Sequence, residues 1–174
     1  MKTDIKRILF ILIENDPGVL LRIISLITRR RFNLETISIS DCEDKNYKRL
    51  TLSIKNEQQG SDHSTLQLLK HIKKLINVID AQDISYLPTF QRELILIKIS
   101  LTLKERQEIL ELANIYGFTI IDMGSTTISL EITGDSSKIE TIEKILKNYN
   151  IVELTRTGKI ALTREPNSNL ITLH

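Results

Sequence analysis

The chain has 174 residues, 41% hydrophobic and 26% charged. That is ordinary for a globular protein and long enough for one medium domain or two small ones. A net charge of +2 gives no global field for nucleic acid or an anionic membrane, and a single cysteine, Cys42, excludes intramolecular disulfides and multi-thiolate metal sites.

The first element is an apolar strand, Ile8-Leu9-Phe10-Ile11-Leu12-Ile13, beginning within a few residues of Met1 and leaving no room for a signal or transit peptide. It runs out at Glu14-Asn15-Asp16-Pro17-Gly18-Val19-Leu20, after which Leu20, Ile23, Ile24 and Ile27 fall on one face of a helix. Asp16 suits the N-cap, because its carboxylate can accept from unpaired first-turn amides, and Pro17 suits N1, because its φ is already helical. Gly18 is not needed to start a helix. Without a Cβ it lets a small carboxylate approach the amides at the positive end of the helix. On these residues alone the stretch is equally a well-capped helix with an incidental glycine.

Arg29-Arg30-Arg31 closes the helix as a solvated basic end that complements its dipole. Asn33–Ser40 alternates as a strand, Asp41–Asn46 supplies turn chemistry, and Leu50, Leu52 and Ile54 alternate again, which makes a hairpin. A polar loop, Glu57–Ser64, precedes a helix striped by Leu68, Leu69, Ile72, Leu75 and Ile76, and Val78–Leu87 returns as a strand. The order βαββαβ closes into an antiparallel sheet with both helices on one face, the ferredoxin-like arrangement.

Pro88 and its polar neighbours break the pattern, so 88–91 is the expected linker. A second βαββαβ unit follows, offset by about 85 residues. Its strands are Leu94–Leu101, Phe118–Asp122, Thr127–Thr133 and one from Ile151 onward. Its helices open with capping boxes at Thr102/Glu105 and Ser137/Glu140, and Gly117 fits the C′ position of the first. The fold class is therefore α+β, with two ferredoxin-like βαββαβ domains in tandem: 1–87, a linker at 88–91, 92–165, and a flexible tail at 166–174.

Chemistry-bearing residues are sparse. His63, His71 and His174 are scattered without paired spacing, so neither a catalytic residue nor a metal site is expected. An acylphosphatase-type enzyme would need a glycine-rich anion loop carrying an arginine, which the chain lacks. An RRM-type sheet would need strand aromatics, yet the chain is 5% aromatic and its strands carry Ile and Leu. No nucleic-acid partner is expected, and no membrane partner either, since no apolar run approaches the roughly 20 residues of a span. The bias to Ile, Lys and Asn suits an AT-rich genome, with a plastid stroma as the location if the chain is organelle-encoded and the bacterial cytoplasm otherwise.

With these elements in place, the sequence resembles the small, regulatory subunits of acetolactate synthase (acetohydroxyacid synthase), whose N-terminal half is an ACT domain. In the first half the resemblance rests on Leu12–Leu20, Arg22-Ile23 and Phe32-Asn33-Leu34-Glu35. In the second it rests on Arg92-Glu93-Leu94, Ile97-Lys98, Ile121-Asp122, Glu131-Ile132-Thr133-Gly134, Lys138-Ile139, Arg156-Thr157-Gly158 and Ile160-Ala161-Leu162. It implies an ACT domain at 1–87, a C-terminal ACT-like domain, and a chain that performs no chemistry itself. Such chains pair with a catalytic large subunit, which carries thiamine diphosphate, Mg and FAD. They activate it and confer feedback inhibition by valine in branched-chain amino-acid biosynthesis.

The resemblance further implies a homodimer through side-by-side ACT domains with joined sheets, and valine at their interface near the turn. Carried over by position, the ligand-contacting residues are Asn15, Asp16, Pro17, Gly18, Val19, Leu20 and Asn33. Taken alone, Asn33 reads rather as a strand-entry residue satisfying a turn. Discrimination against a homologue one methylene larger is expected to be of order 1–3 kcal/mol, so leucine or isoleucine would cross-react. The family usually has glycine where this chain has Arg31, and a left-handed arginine costs roughly 1 kcal/mol or more. The competing reading is a stand-alone ACT-type amino-acid sensor without a catalytic partner.

Overall fold

The computed structural model describes residues 6–55 and 61–164. The loop expected at Glu57–Ser64 falls partly outside them, and His174 and the tail expected at 166–174 fall wholly outside. Among the described residues the order is β1 (Lys6–Glu14), α1 (Pro17–Arg29), β2 (Asn33–Asp41), β3 (Tyr47–Lys55), α2 (Ser61–Ile72) and β4 (Val78–Asp83). Then come β5 (Thr89–Ser100), α3 (Leu103–Tyr116), β6 (Thr119–Met123), β7 (Thr127–Gly134), α4 (Ser136–Leu146), β8 (Asn150–Arg156) and β9 (Ile160–Thr163). The βαββαβ pattern occurs twice, in two ferredoxin-like sheets, followed by one extra strand.

The residues divide into two compact units. One runs to Phe90 and takes in the described residues from Lys159 onward; the other is Gln91–Gly158. The expectation had 92–165 together in the second domain, whereas β9 sits with the first unit. The expected linker at 88–91 is also not a loop beyond Pro88, because Thr89 opens β5.

In the first unit the sheet order is β2-β3-β1-β4, with every neighbour antiparallel. Leu9, Ile11 and Ile13 of β1 and Leu50, Leu52 and Ile54 of β3 face Val19, Ile23 and Ile27 of α1 and Leu68 and Ile72 of α2. The helix face is thus rotated from the expected one: Leu20 and Ile24 are half-buried, while Val19 is fully enclosed. The stripe of α2 ends at Ile72, and Ile76 lies beyond the helix with 75% of its surface exposed. β4 stops at Asp83 instead of Leu87, because the Asp83 carboxylate accepts from Ser85 N–H at 2.9 Å and turns the chain.

The other face of β1 is buried too. Ile8, Phe10 and Leu12 pack with Ile84, Leu87 and Ala161, where water contact would forgo roughly 1.5–3 kcal/mol for each side chain. β9 supplies Ala161 to this face. Its carbonyl accepts from the Arg49 guanidinium at 3.0 Å, and that guanidinium lies 4.5 Å above the Phe10 ring. β9 pairs with β5, and Arg164 N–H donates to Pro88 O at 2.9 Å.

The second unit has sheet order β6-β7-β5-β8. Ile95, Ile97 and Ile99 and Ile128, Leu130 and Ile132 face Ile109 and Ala113 of α3 and Ile139, Ile142 and Leu146 of α4. Thr102 and Glu105 form the expected capping box, and Gly117, at φ 64°, ends α3. α4 is capped two residues earlier than expected: Asp135 accepts from Lys138 N–H at 2.8 Å, so the Ser137/Glu140 pair lies inside the helix. An aspartate N-cap satisfies the same amides as a serine would, and its anion also suits the helix dipole.

Candidate ligand-binding turn

The turn after β1 is held from two sides. Glu14 N–H donates to Asn77 O at 2.9 Å. Asn15 N–H donates to Asn46 O at 2.7 Å, and Asn15 Nδ2 to Lys45 O at 3.3 Å, which ties the turn to the β2–β3 hairpin. Asp16 is the N-cap of α1, with φ −111° and ψ 130°, and Pro17 occupies N1. One oxygen of Asp16 accepts from Gly18 N–H at 3.4 Å. The other accepts from Asn77 Nδ2 at 2.6 Å and lies 3.9 Å from Arg22 Nη2.

Gly18 is approached by the Arg22 side chain. A Cβ there would stand 3.2 Å from the Arg22 guanidinium, so a side chain at this position would require the half-exposed arginine to shift slightly. The turn therefore presents a carboxylate, a guanidinium and an asparagine amide side by side, all at least partly exposed. Opposite charges at this separation suit a zwitterion, with an ammonium at Asp16 and a carboxylate at Arg22. Because Asp16 already occupies the first free amide of α1, a ligand anion at the helix start would meet that carboxylate as a competitor.

The seven expected site residues do not form one cluster. Asn15, Asp16, Pro17 and Gly18 are together at the turn. Val19 is fully buried in the core and its side chain is closed to a ligand, while Leu20 is half-buried against the same core. Asn33 is exposed and pairs with Lys55 at the far end of α1. That helix has 13 residues, so within one chain about 20 Å separates Asn33 from the turn.

Two residues that hold the turn were not legible as such. Asn77, at φ 70°, is one of two non-glycine residues with positive φ among those described; its side chain grips Asp16 from the α2–β4 corner. Arg22 stands one turn after Gly18 and covers it. An asparagine between a helix and a strand is a signal for a left-handed turn, but nothing in sequence points its amide at Asp16. Among the described residues no group of three or more His, Cys, Asp or Glu is arranged to hold a metal ion, and no helix is long and apolar enough to cross a membrane.

Arg31 takes the left-handed conformation, at φ 59°. Phe32 N–H donates to Ile27 O and Arg31 N–H to Thr28 O, at 3.2 and 2.9 Å. This is the paired closure of a Schellman motif with arginine at the usual glycine position, and Phe32 and Ile27 make its apolar contact in the core. The turn into Asn33 keeps the geometry a glycine would give.

Two ferredoxin-like units in tandem, the first opening its leading helix through an Asn-Asp-Pro-Gly turn, define a chain of the ACT-domain class. Residues 9–80 match the AHAS small subunit-like ACT domain, and residues 92–165 match the family of the small subunit of acetolactate synthase. The chain belongs to the acetolactate synthase small subunit family.

It is 38% identical over 154 residues to a probable acetolactate synthase small subunit of Methanothermobacter thermautotrophicus, covering 88% of this chain and 89% of that one. It is 35% identical over 157 residues to the chloroplastic small subunit 2 of Arabidopsis thaliana, covering 90% of this chain and 32% of that protein. The crystal structure of the Thermotoga maritima small subunit superposes with a TM-score of 0.83 at 31% identity, covering 94% of this chain and 99% of that one. With archaeal, bacterial and plant relatives alike, the compositional bias does not single out a plastid.

Proposed function

We propose that the chain is a non-catalytic regulatory subunit that binds a catalytic acetolactate synthase subunit, raises its activity and makes it sensitive to valine. The observation that carries this reading is the match to small-subunit families in both units, over 88% of the chain in the archaeal relative. On this reading thiamine diphosphate, Mg and FAD belong to the catalytic chain, and this chain holds none of them.

The ligand site takes its form from the separation of Asn33 from the turn. β2 is an edge strand, and it ends beside the hairpin to which Asn15 is bonded. A second copy paired antiparallel along that edge brings its own Asn33 to the turn end of the first. Valine would then lie between Asn15, Asp16 and Gly18 of one copy and Asn33 of the other, with its ammonium at Asp16 and its carboxylate at Arg22. Two equivalent sites result from the two-fold symmetry.

The test is acetolactate formation by the cognate catalytic subunit alone, with this chain, and with this chain plus millimolar valine. Activation reversed by valine supports the whole reading. Activation that Asn15→Ala and Asn33→Ala leave intact, while both abolish the valine effect, supports the site. No activation at all overturns the reading.

A further inference from the structure

The side of α1 turned away from the core is apolar where a surface helix is normally charged or polar. Leu21 is 69% exposed, and with Ile24 and Leu75 it lines an open groove between α1 and the corner that leads from α2 into β4. Arg22 and Arg29 line the same groove.

The groove is therefore basic as well as apolar. α1 holds Arg22 and Arg29 and no acidic residue, and Arg30 and Arg31 follow it. The helices of the second unit are mixed: α3 has Glu105, Glu108 and Glu111 beside Lys104 and Arg106, and α4 has Glu140 and Glu143 beside Lys138 and Lys144. Arg22 and Arg29 stand two turns apart on one side of α1, with their Cα atoms about 10 Å from each other. Neither is committed to a strong internal contact. Arg22 approaches Asp16 only to 3.9 Å with 46% of its side chain exposed, and an exposed pair at that distance contributes little. Arg29 donates to a carbonyl of its own helix, Ser25 O.

We propose that this groove docks a segment of the catalytic subunit that presents apolar side chains together with two carboxylates about 10 Å apart. The apolar side chains cover Leu21 and Leu75, and the carboxylates meet Arg22 and Arg29. The corner precedes β4, at the sheet edge opposite β2, so copies joined along β2 leave the groove open. Arg22 belongs to the candidate turn as well, where its guanidinium stands beside Gly18 and Asp16. One side chain thus serves two surfaces. A ligand carboxylate held by Arg22 at the turn withdraws it from the partner, and by linkage the bound partner weakens the ligand to the same extent. This rests on the regulatory-subunit reading and adds the face that meets the catalytic subunit and the residue that couples it to the effector.

The experiment titrates the full-length chain, as wild type, L21D, R29E, R29K and R22Q, into the cognate catalytic subunit and follows complex formation by sedimentation at low and moderate salt. Leu21 and Arg29 are exposed and lie outside the core cluster, so their replacement leaves the fold intact. L21D and R29E are each expected to weaken the complex by about tenfold or more, and R29K, which keeps the charge, to restore most of the affinity. The salt dependence of R29E should be shallower than that of the wild type. Millimolar valine should weaken the wild-type and R29K complexes and leave the R22Q complex unchanged.

Wild-type affinity in both L21D and R29E overturns the groove and leaves the regulatory-subunit reading standing. Valine that binds the wild-type chain in calorimetry without weakening its complex overturns the shared role of Arg22, as does a valine effect that survives in R22Q. A wild-type chain that forms no complex overturns the regulatory-subunit reading and the groove with it.

Discussion

Asn77 and Asp16, 61 residues apart in the chain, share a hydrogen bond of 2.6 Å from Nδ2 to Oδ2. The cap of the first helix is therefore set by the corner that leads into the last strand of the same sheet. Asn77 does this from a left-handed backbone, at φ 70°, and its carbonyl also accepts from Glu14 N–H.

Two substitutions separate these roles. Asn77→Ala loses the side-chain bond and puts a less tolerant residue at positive φ, for an expected cost of about 2 kcal/mol in urea unfolding. Asn77→Gly loses the same bond but keeps the backbone at ease, so it should cost about half as much or less. Valine sensitivity, if the turn is the site, should fall equally in both. Equal stability of the two variants would show that the left-handed backbone contributes nothing.

Arg49 makes β9 a part of the first unit. Its guanidinium donates to Ala161 O and stacks over Phe10. Arg49→Met keeps apolar contact with the ring but loses the bond and the cation–π attraction, and should cost about 1–2 kcal/mol. Hydrogen exchange over 160–163 should rise with it. Unchanged protection there would mean that the pairing with β5 holds β9 unaided.

The repeat of βαββαβ, the hairpins, the caps of α1 and α3 and the turn at Asp16 were legible because each depends on local periodicity or on a residue's own backbone preference. The burial of both faces of β1 was legible only in part. Six successive apolar residues, 8–13, announce a strand covered on two sides, yet two helices cover one side of such a sheet. The cover on the second side comes from Ile84 and Leu87 after β4 and from Ala161 of β9, and a four-residue strand about 150 residues away carries no periodicity from which to assign it. β5 contrasts with β1: Ile95, Ile97 and Ile99 alternate with Leu96 and Lys98, and Leu96 is 38% exposed. Nothing in sequence singles out Asp135 as the cap, because Ser137/Glu140 fits the capping-box spacing equally well. Only the family resemblance groups Asn33 with the turn, and one chain alone does not bring the two together.

Asp80 gives the first unit a pH dependence. Burial pushes its carboxyl up, but Lys73 Nζ at 2.7 Å, Gln82 Nε2 at 2.7 Å and Ala81 N–H at 2.8 Å favour the anion more strongly and leave it below the ordinary value. A folded-state pKa lowered from the unfolded one stabilises the protein at pH above the ordinary carboxylate value, about 4, and that contribution is lost as pH falls through the folded value. The stability gap between wild type and Asp80→Asn should therefore be widest near neutral pH and close below pH about 4. A gap independent of pH in urea titrations would assign the loss to geometry instead of charge.

Arg31 allows the cost of a left-handed arginine to be measured where the surrounding bonds are complete. The Schellman closure places both Arg31 N–H and Phe32 N–H on carbonyls of α1, so replacement by glycine alters no backbone bond, and the exposed side chain gives up no contact within the unit. Relief of the Cβ clash at φ 59° is worth about 1–2 kcal/mol, part of which returns as the greater entropy of glycine in the unfolded chain. Arg31→Gly should therefore raise the unfolding free energy by about 1 kcal/mol in a chain kept dilute enough to be monomeric, measured by thermal or urea denaturation. A destabilised chain would mean that the Arg31 side chain supports the fold by more than the strain it costs.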